Sequence, residues 1–552
     1  MGYTAVRGRV LRSVGGIGYD SGTYVRNFLS AKVKEAHMNA LVVRGKYVIS
    51  KEKESNTALV ISDGAVYQED GRIIEVGPYH ELRSKYPSTE VVGSRRHVVL
   101  PGLVNAHYHQ GFSFLQLGQP DRSAEAFSST GNWNVDPYLE HLYGAVQMLE
   151  SGTTAVQVIY DPGRGKPPLD EESTAKVIKA YLDAGMRVSY APEIVNQNTK
   201  VAGERGGETE FASTLPGDLR KRFLGFFDKE HLPVSELIAR NEEVFKKYRG
   251  SHPRLHLNVA PGNVHRCSDE LLLELKAMAL RHQATIHIHL LEWYQQRLYG
   301  LSAWGKSPLQ HLKDLDFLGP EVDCVHSVWV NDQDLQTMAE HRVSVSTNPT
   351  SNFRLQAGVT PVTQFLSRGI RLALGTDECG LNDDKDMIQE MRLLHKIHRL
   401  PGSDFAPLTS GQVFEMATTN AAKVIGWGDS IGSLEPGMKA DMVLMDLRNI
   451  EEPFLDPNVP LLDALLYRGR SVDVDTVIVE GEVVMQGRQF TRFDKEALYR
   501  EIGKMADAPP DPIKVEWSEM GPLLAPYLKE FFAGTGTSDQ MPAPYYVYNG
   551  GS

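Results

Sequence analysis

The middle of the chain alternates between short apolar runs and amphipathic segments with the period of a helix. Thr153–Tyr160 is a β-branched run, Glu171–Ala184 has the apolar spacing of a helix, and residues 187–191 are again strand-like. Later strand-like runs cover residues 255–260, 284–291, 322–325, 343–347 and 371–375. Strand–helix alternation over roughly 300 residues predicts parallel strands connected by helices and closed into a distorted (β/α)8 barrel.

On either side of this region the pattern changes to short strands separated by turn residues such as Asp63-Gly64 and Asp70-Gly71. The strand-like runs are 40–48, 58–61 and 72–76 before the barrel, and 441–446, 475–480 and 482–486 after it. The last two meet at Gly481, as the strands of a hairpin do. We predict that both sets join in one small β-sandwich domain formed from both chain ends.

The predicted boundaries follow from these changes of pattern. They are 1–36 for an N-terminal extension, 37–100 and 428–490 for the two parts of the β-sandwich, 101–427 for the barrel, and 491–552 for a C-terminal helix and tail. Residues 196–232 are polar and weakly patterned, so we expect an insertion over one face that shapes the pocket. After a helix at 493–506, we expect an extended tail with a short helix. Its aromatic end suggests packing against another subunit, and hence a homo-oligomer, dimeric or larger.

Composition and charge narrow the possible functions. The chain has 552 residues and a net charge of −12 at pH 7, which favours neither nucleic acid nor an anionic membrane as a partner. No apolar run approaches the ~18 residues of a spanning helix, and residues 1–15 lack the apolar core of a signal peptide. The three cysteines, Cys267, Cys324 and Cys379, cannot form a disulfide framework. We therefore expect a cytoplasmic protein with a small-molecule substrate.

A histidine pair stands where the first β region gives way to the barrel. The stretch VVLPGLVNAHYH, residues 98–109, has a Pro-Gly break before a strand that ends in His107 and His109. Residues two apart in a strand point to the same face, so the two imidazoles project together, with Tyr108 on the other side. They form either half of a metal site or an ordinary pair of surface or core histidines.

Later strand ends carry further candidate residues, which are His289, Glu292, His326 and Asp377. Each has an ordinary alternative, such as a solvated loop glutamate, a core histidine or an aspartate that starts a helix. His287 lies on the same face of its strand as His289. We interpret it as a hydrogen-bonded interior residue, because barrel active sites lie at the carboxyl ends of the strands and His289 is nearer that end.

Taken together, the candidates indicate a function more specifically than any one of them does. Three imidazoles and one carboxylate match a hydrolytic zinc or iron site with one position left for water. Such a metal lowers the pKa of its water from 15.7 to about 7, which supplies hydroxide at neutral pH without a protein nucleophile. No P-loop or dinucleotide fingerprint in the sequence follows a strand in the right way.

With these motifs the chain resembles the amidohydrolase superfamily, in the branch that holds cytosine, guanine and S-adenosylhomocysteine deaminases and triazine hydrolases. The resemblance runs from about residue 40 to residue 486. Its motifs are PGLVNAHYH at 101–109, SGTTAV at 151–156, HIHLLE at 287–292, HSVWV at 326–330, STNPTSNFRLQAG at 346–358, GTDECGLNDDKDMIQEM at 375–391 and IGSLEPGMKADMVLMD at 431–446. It implies a distorted (β/α)8 barrel beside a small β-sandwich.

The resemblance also implies a role for each candidate. His326 would contact the hydroxide or the polarised atom of the substrate. Asp377 would take the proton from the attacking water, and Glu292 would protonate the departing or ring nitrogen. One divalent ion per subunit, zinc or iron, is implied, because no lysine is placed on the fourth strand to form a carboxylated bridge. The implied metal ligands are His107, His109, His289 and Asp377.

Departures from the pattern of this branch lie on the substrate side. Gly262 follows Ala260-Pro261 where purine-type deaminases usually carry a histidine, and a histidine arrives only at His265. The residues after Asp377 and after His109, which are Glu378-Cys379-Gly380 and Gln110-Gly111-Phe112, also differ from the usual ones. Asn348 and Asn352 fall in a substrate-side loop, with turn chemistry as their alternative role. The departures argue against nucleoside specificity and leave the metal set intact.

The leading hypothesis is therefore metal-dependent hydrolysis of a non-peptide C–N bond in a small amide, urea or amidine. The alternative is deamination of an amino-substituted heterocycle, and dechlorination would use the same machinery. A non-catalytic scaffold is a different class of function, since a fold does not dictate an activity. The presence of every ligand and of Glu292 argues against a scaffold.

Overall fold

A computed structural model describes residues 40–53, 57–113, 115–118, 135–162, 169–226, 231–378, 380–399 and 408–533. The predictions for the N-terminal extension, the aromatic end of the tail and Cys379 concern residues outside these ranges. Within them, no helix combines the length and the apolarity that crossing a bilayer would require.

The strands are numbered along the chain. They are β1 (Leu41–Lys53), β2 (Thr57–Ser62), β3 (Gly64–Glu69), β4 (Arg72–Pro78), β5 (Glu90–Pro101), β6 (Leu103–Tyr108), β7 (Thr153–Tyr160), β8 (Arg187–Ile194), β9 (Ala202–Gly203), β10 (Gly206–Gly207), β11 (Leu255–Leu257), β12 (Ala260–Pro261), β13 (Ile286–Leu290), β14 (Val322–His326), β15 (Ser344–Thr347), β16 (Arg371–Leu374), β17 (Met442–Asp446), β18 (Val474–Val479), β19 (Glu482–Gln486) and β20 (Gln489–Phe490).

The helices are numbered in the same way. They are α1 (Tyr79–Lys85), α2 (Pro137–Glu150), α3 (Glu171–Ala184), α4 (Glu208–Ser213), α5 (Gly217–Gly225), α6 (Val234–Tyr248), α7 (Asp269–His282), α8 (Tyr294–Trp304), α9 (Pro308–Asp314), α10 (Asp332–His341), α11 (Pro349–Arg354), α12 (Val362–Ser367), α13 (Met387–Ile397), α14 (Ser410–Met416), α15 (Thr419–Val424), α16 (Arg448–Glu451), α17 (Leu461–Arg468), α18 (Lys495–Ala506) and α19 (Pro512–Phe531). Short 3-10 helices cover Val264–Arg266 and Ser471–Asp473.

Parallel strands form the barrel. β6, β7 and β8 pair side by side, and β11 and β12 both pair with β8, so these two make one interrupted strand. β13, β14, β15 and β16 form a second parallel sheet. The two sheets are joined at both edges, because the Asp377 amide donates to the His107 carbonyl at 2.9 Å and the His287 amide to the Val259 carbonyl at 2.9 Å. The predicted (β/α)8 barrel is confirmed.

The strands of both chain ends form one nine-stranded sheet, in the order β20-β19-β18-β17-β5-β1-β3-β4, with β2 beside β1. The two ends meet where β5 pairs antiparallel with β17 and Val99 lies opposite Leu444. Fully buried side chains from both ends, including Val43, Val99 and Met442, share one apolar cluster. A small β domain built from both chain ends was predicted, and it is confirmed.

Buried ion pairs connect this β domain to the barrel. Arg187, the first residue of β8, donates to Asp441 through Nε at 2.8 Å and Nη2 at 3.0 Å, and both side chains are buried. Arg254 reaches Glu480 at 3.3 Å and Glu482 at 2.8 Å. Buried charges are tolerated only when they are paired, so these contacts specify how the two domains fit together.

The insertion at 196–232 packs against the C-terminal part of the chain. Phe211 of α4 and Phe223 of α5 share a buried cluster with Trp517, Met520 and Phe531 of α19. The prediction of a short helix in the tail was wrong, because α19 has 20 residues; the extended end predicted after it lies outside the described residues. Prolines disfavour the interior of a helix, and α19 contains two, but its apolar side is buried against the insertion.

Candidate active site

The predicted site residues come together at the carboxyl ends of the barrel strands. β13 and β14 pair so that Leu290 lies opposite His326, which puts the ends of these strands level with each other. Across the barrel seam, a parallel bridge pairs Tyr108 with Asp377. All predicted metal ligands lie on or directly after these strands, with His107 and His109 at the end of β6, His289 in β13 and Asp377 after β16.

The donor atoms of these side chains surround one centre. Nε2 of His109 and Nε2 of His289 are 3.0 Å apart. Asp377 Oδ1 lies 3.4 Å from His107 Nε2 and 3.5 Å from His109 Nε2. Nitrogen ligands of zinc lie about 2.0–2.1 Å from the metal, so two of them lie no more than about 4.2 Å apart. The ligand atoms of His109 and His289, of Asp377 and His107, and of Asp377 and His109 all lie within this distance of each other.

Hydrogen bonds behind two imidazoles determine which nitrogen faces the centre. His109 Nδ1 donates to the Ile159 carbonyl at 2.9 Å, and His289 Nδ1 donates to the Gly262 carbonyl at 2.6 Å. A carbonyl oxygen only accepts, so in the neutral rings both Nε2 atoms carry lone pairs that face each other. Two lone pairs this close repel each other unless a cation lies between them. A histidine whose second nitrogen donates to a carbonyl is typical of metal ligands.

Further buried nitrogens face the same centre. Both ring nitrogens of His107, and Nε2 of His326, make no hydrogen bond within the described ranges. Leaving a buried polar atom unsatisfied costs about 1–3 kcal/mol. Burial lowers the pKa of His107 to about 4 and the pKa of His289 well below its usual range. Both rings are therefore neutral at pH 7, and neutral imidazole is the form that binds a metal.

Asp377 supplies the carboxylate of the site. Burial alone would raise its pKa, but His107, whose Nε2 lies 3.4 Å from Oδ1, and the surrounding imidazoles hold that pKa well below its usual range. Its Oδ2 accepts a hydrogen bond from the Ser351 hydroxyl at 2.6 Å. This contact leaves Oδ1 turned toward the histidines, so Asp377 is ionised and oriented for a cation.

His326 is held by a short network. Its Nδ1 donates to Asn352 Oδ1 at 2.8 Å, and the Asn352 amide nitrogen donates to Thr360 Oγ1 at 3.2 Å. The Thr360 hydroxyl donates to the His326 carbonyl at 2.9 Å, and the Asn348 amide lies 3.3 Å from Nδ1. Of the two asparagines flagged in the sequence, Asn352 therefore holds His326, whose Nε2 points to the centre, 3.8 Å from Asp377 Oδ2.

Glu292 lies on the substrate side of this histidine. Its Oε1 is 3.6 Å from His326 Nε2, and only 3% of the residue is exposed. The backbone amide of Glu292 donates to the Gln296 side chain at 2.9 Å, which fixes the start of the loop after β13. The carboxyl group is therefore buried within reach of the centre, as a group that passes protons to a substrate requires.

Backbone strain accompanies two of the site residues. His326 has φ +69° and Asp377 has φ +52°, in the left-handed region that side chains rarely adopt. Such a conformation costs of order 1–3 kcal/mol per residue, and it is found mostly at functional sites. The strain turns both side chains inward at the strand ends.

Two other histidines flagged in the sequence have structural roles. His287 lies 3.1 Å from Asp323 Oδ2 and 3.0 Å from Thr285 Oγ1, as expected of a hydrogen-bonded interior residue. His265 is buried and packs against the ring of Tyr299, with centroids 5.9 Å apart.

Sequence reasoning missed a group of charged side chains beside the site. Glu193 stands near the end of β8, Arg266 follows β12, and the two meet at 3.3 Å between Oε1 and Nη1. The pKa of Glu378, which directly follows Asp377, is raised well above its usual range by burial first and then by Asp377, while Lys385 opposes the shift. Glu193 could have been found in the sequence from its position near a strand end, which is the criterion that identified His289.

Known proteins resemble this chain in sequence and in fold. A sequence profile of the amidohydrolase family matches residues 98–484, and one of the bacterial imidazolonepropionase-like composite domain matches residues 64–88. The chain is 29% identical over 478 residues to a 5'-deoxyadenosine deaminase from Methanosarcina mazei, covering 85% of this chain and 98% of that protein. It is 30% identical over 455 residues to a 5-methylthioadenosine/S-adenosylhomocysteine deaminase from Syntrophobacter fumaroxidans, covering 80% and 93%.

A solved structure shares the fold. It is an adenosine deaminase from Xanthomonas campestris with bound zinc, which superposes with a TM-score of 0.69 at 23% identity. The match covers 85% of this chain and 98% of that chain.

Proposed function

The chain belongs to the amidohydrolase family, and we propose that it removes an amino group from a small nitrogen heterocycle by hydrolysis. It is a hydrolase of carbon–nitrogen bonds other than peptide bonds, so deamination is the specific step that the proposal adds. The convergence of three imidazoles and Asp377 on one centre, beside His326 and Glu292, carries the proposal. The substrate-side departures argued against nucleoside specificity. The similarity to 5'-deoxyadenosine and 5-methylthioadenosine deaminases over more than four-fifths of the chain outweighs them and favours an adenosine-like substrate.

We infer that His107, His109, His289 and Asp377 hold one divalent ion per chain, zinc or iron. The two facing lone pairs and the buried nitrogens of His107 fit a cation at this position. When bound, such an ion activates a water molecule by lowering its pKa to about 7. Zinc and iron both accept this ligand set.

The roles of the side chains follow from their positions. Asp377 takes a proton from the water that attacks the carbon bearing the amino group. His326 donates or accepts a hydrogen bond through Nε2 at the developing oxygen, while Asn352 holds its other nitrogen. Glu292 delivers a proton to the ring nitrogen next to the attacked carbon. A carbon–oxygen bond forms and the carbon–nitrogen bond breaks. The amino group leaves as ammonia with the proton that Asp377 took from the water, and the proton of the new hydroxyl group returns to Glu292.

The predicted partners and location extend this proposal. A small-molecule substrate fits a centre enclosed by strand ends. A homo-oligomer, the absence of nucleic-acid and membrane partners, and a cytoplasmic location stay predictions from the sequence.

Ammonia release tests the proposal. The purified enzyme, with its metal content quantified, is assayed with 5'-deoxyadenosine, 5'-methylthioadenosine, adenine, guanine and cytosine. We expect ammonia from at least one adenine-containing compound. No ammonia from any of them, with about one metal per chain bound, would contradict deamination and favour hydrolysis of an amide or urea by the same residues.

A further inference from the structure

We propose that Glu193 and Arg266 bind the part of the substrate that lies away from the departing amino group. The Glu193 carboxylate would accept a hydrogen bond from an N–H or O–H group of the substrate, and the guanidinium would donate to an acceptor beside it. This inference rests on the proposed deaminase function and deepens it, because it names residues that select the substrate.

Gly262 brings the Glu193 carboxylate close to the predicted metal ligand His289. The Gly262 carbonyl accepts the hydrogen bond from His289 Nδ1 at 2.6 Å. A Cβ atom at Gly262 would lie 2.5 Å from Glu193 Oε1, which is closer than two such atoms can approach. Because Gly262 has no side chain, the Glu193 carboxylate can occupy this space. It thus lies next to the residue whose carbonyl accepts the hydrogen bond from His289.

Arg266 brings a buried atom that has no partner among the described residues. Its Nη1 pairs with Glu193 Oε1, but its Nε is buried and makes no hydrogen bond to any of these residues. A buried charged group needs partners, and a bound substrate can supply one.

The combination defines the chemistry of the ligand. Ionised carboxylates only accept hydrogen bonds and guanidinium only donates them. A matching substrate presents a donor to Glu193 and an acceptor to Arg266. In an adenosine-like compound, that donor is either a sugar hydroxyl or, in the free base, a ring N–H. A substrate that offers only acceptors would give the Glu193 carboxylate no donor.

The test uses Glu193→Gln in the metal-loaded enzyme, with 5'-deoxyadenosine and adenine as substrates. The amide keeps the size of the side chain and one oxygen for Arg266 but loses the charge. Because a hydrogen bond to a charged group is worth about 1.5–3 kcal/mol, we expect KM to rise about tenfold to a hundredfold, with kcat within about threefold of wild type. Glu274→Gln, an exposed position on α7, is the matched control and should leave both constants unchanged.

Comparing the two substrates identifies which group of the substrate donates to Glu193. A KM increase for 5'-deoxyadenosine alone assigns it to the sugar hydroxyls, and an increase for adenine alone assigns it to the ring N–H. Gly262→Ala is an independent variant, because its methyl group would displace the Glu193 carboxylate. It should reproduce the increase in KM with the metal content unchanged.

Unchanged KM values in Glu193→Gln, or a loss confined to kcat, would overturn the inference while leaving deamination in place. If Glu193→Gln does not fold, an unchanged KM in Gly262→Ala would overturn it in the same way. A wild-type enzyme that releases ammonia from neither compound would contradict both the inference and the adenosine-like substrate of the proposed function.

Discussion

At the scale of single residues, hydrogen bonds decide the role of each histidine. His287 and His289 lie two residues apart on one face of β13. His287 is satisfied by Asp323 and Thr285, whereas His289 uses a backbone carbonyl for Nδ1 and keeps Nε2 for the centre. The same residue type in the same strand therefore has a structural role at one position and, as we propose, a ligand role at the other.

Glu292→Gln should separate proton transfer from metal binding. The substitution keeps the shape of the side chain but removes the group that carries the proton. We expect the variant to retain its metal and to lose turnover by about a hundredfold or more, the usual scale of general acid–base catalysis. Metal analysis and ammonia release from the same sample measure both effects. His289→Ala is the contrasting variant, since it should lose the metal; normal turnover in Glu292→Gln would exclude Glu292 from the mechanism.

Glu390 should make stability depend on pH. Burial raises its pKa from the ordinary 4.5 to about 8, and it accepts a hydrogen bond from the Thr350 amide at 3.1 Å. Between about pH 5 and pH 8 the folded chain keeps a proton that the unfolded chain has lost, so this group lowers stability as pH rises. The urea midpoint of Glu390→Gln should therefore rise relative to that of wild type as the pH increases from 5 to 8. A constant difference across that range would contradict the assignment.

The sequence predicted the ligands but not the residues that hold them. Strand ends and the HxH spacing marked His107, His109 and Asp377 as candidates, and the family resemblance implied that they are ligands. Ser351 and Asn352 support Asp377 and His326 across 26 residues of sequence in each case, and no local pattern reports such a contact.

At the scale of elements, the barrel strands and the last helix differ in how well the sequence reveals them. The strands were predicted because each is a short apolar run between turn residues. α19 was underestimated because Pro522 and Pro526 interrupt its helical pattern. Its stability depends on contacts with α4 and α5, which lie about 300 residues earlier, so tertiary packing overrides the local preference.

Trp517→Ala should loosen the insertion as well as α19. Trp517 is 4% exposed and packs against Phe226, with ring centroids 5.2 Å apart. Truncating a buried aromatic side chain costs about 3–5 kcal/mol. We expect faster hydrogen exchange in residues 208–225, measured by mass spectrometry. Leu523→Ala in the same helix is the control, because Leu523 is 51% exposed; equal exchange in both variants would show that α19 does not hold the insertion.

At the scale of the whole molecule, the barrel and the β domain are held in one arrangement by charges as well as by apolar contacts. The β domain was predictable from the matching strand patterns at the two ends. The Arg187–Asp441 pair was not, because its members lie 254 residues apart and each resembles an ordinary surface residue in sequence. Arg187 also stands at the amino end of β8, on the opposite side of the barrel from the candidate active site.

Arg187→Met should destabilise the whole fold without changing the metal site. Removing one member of a buried pair leaves the charge of Asp441 uncompensated, at a cost of about 3–5 kcal/mol. Denaturant unfolding measures this loss. Arg240→Met provides the comparison, because Arg240 pairs with Glu236 at the surface and such pairs contribute at most about 1 kcal/mol. A loss no larger than that of Arg240→Met would show that the pair does not hold the domains.

The central claim is that four side chains converge on one divalent ion, and anomalous diffraction from crystals soaked in zinc tests it most directly. We predict one strong peak per chain, within about 2–2.3 Å of His107, His109, His289 and Asp377. No peak among these side chains, in a well-ordered crystal soaked in either zinc or iron, would contradict the account.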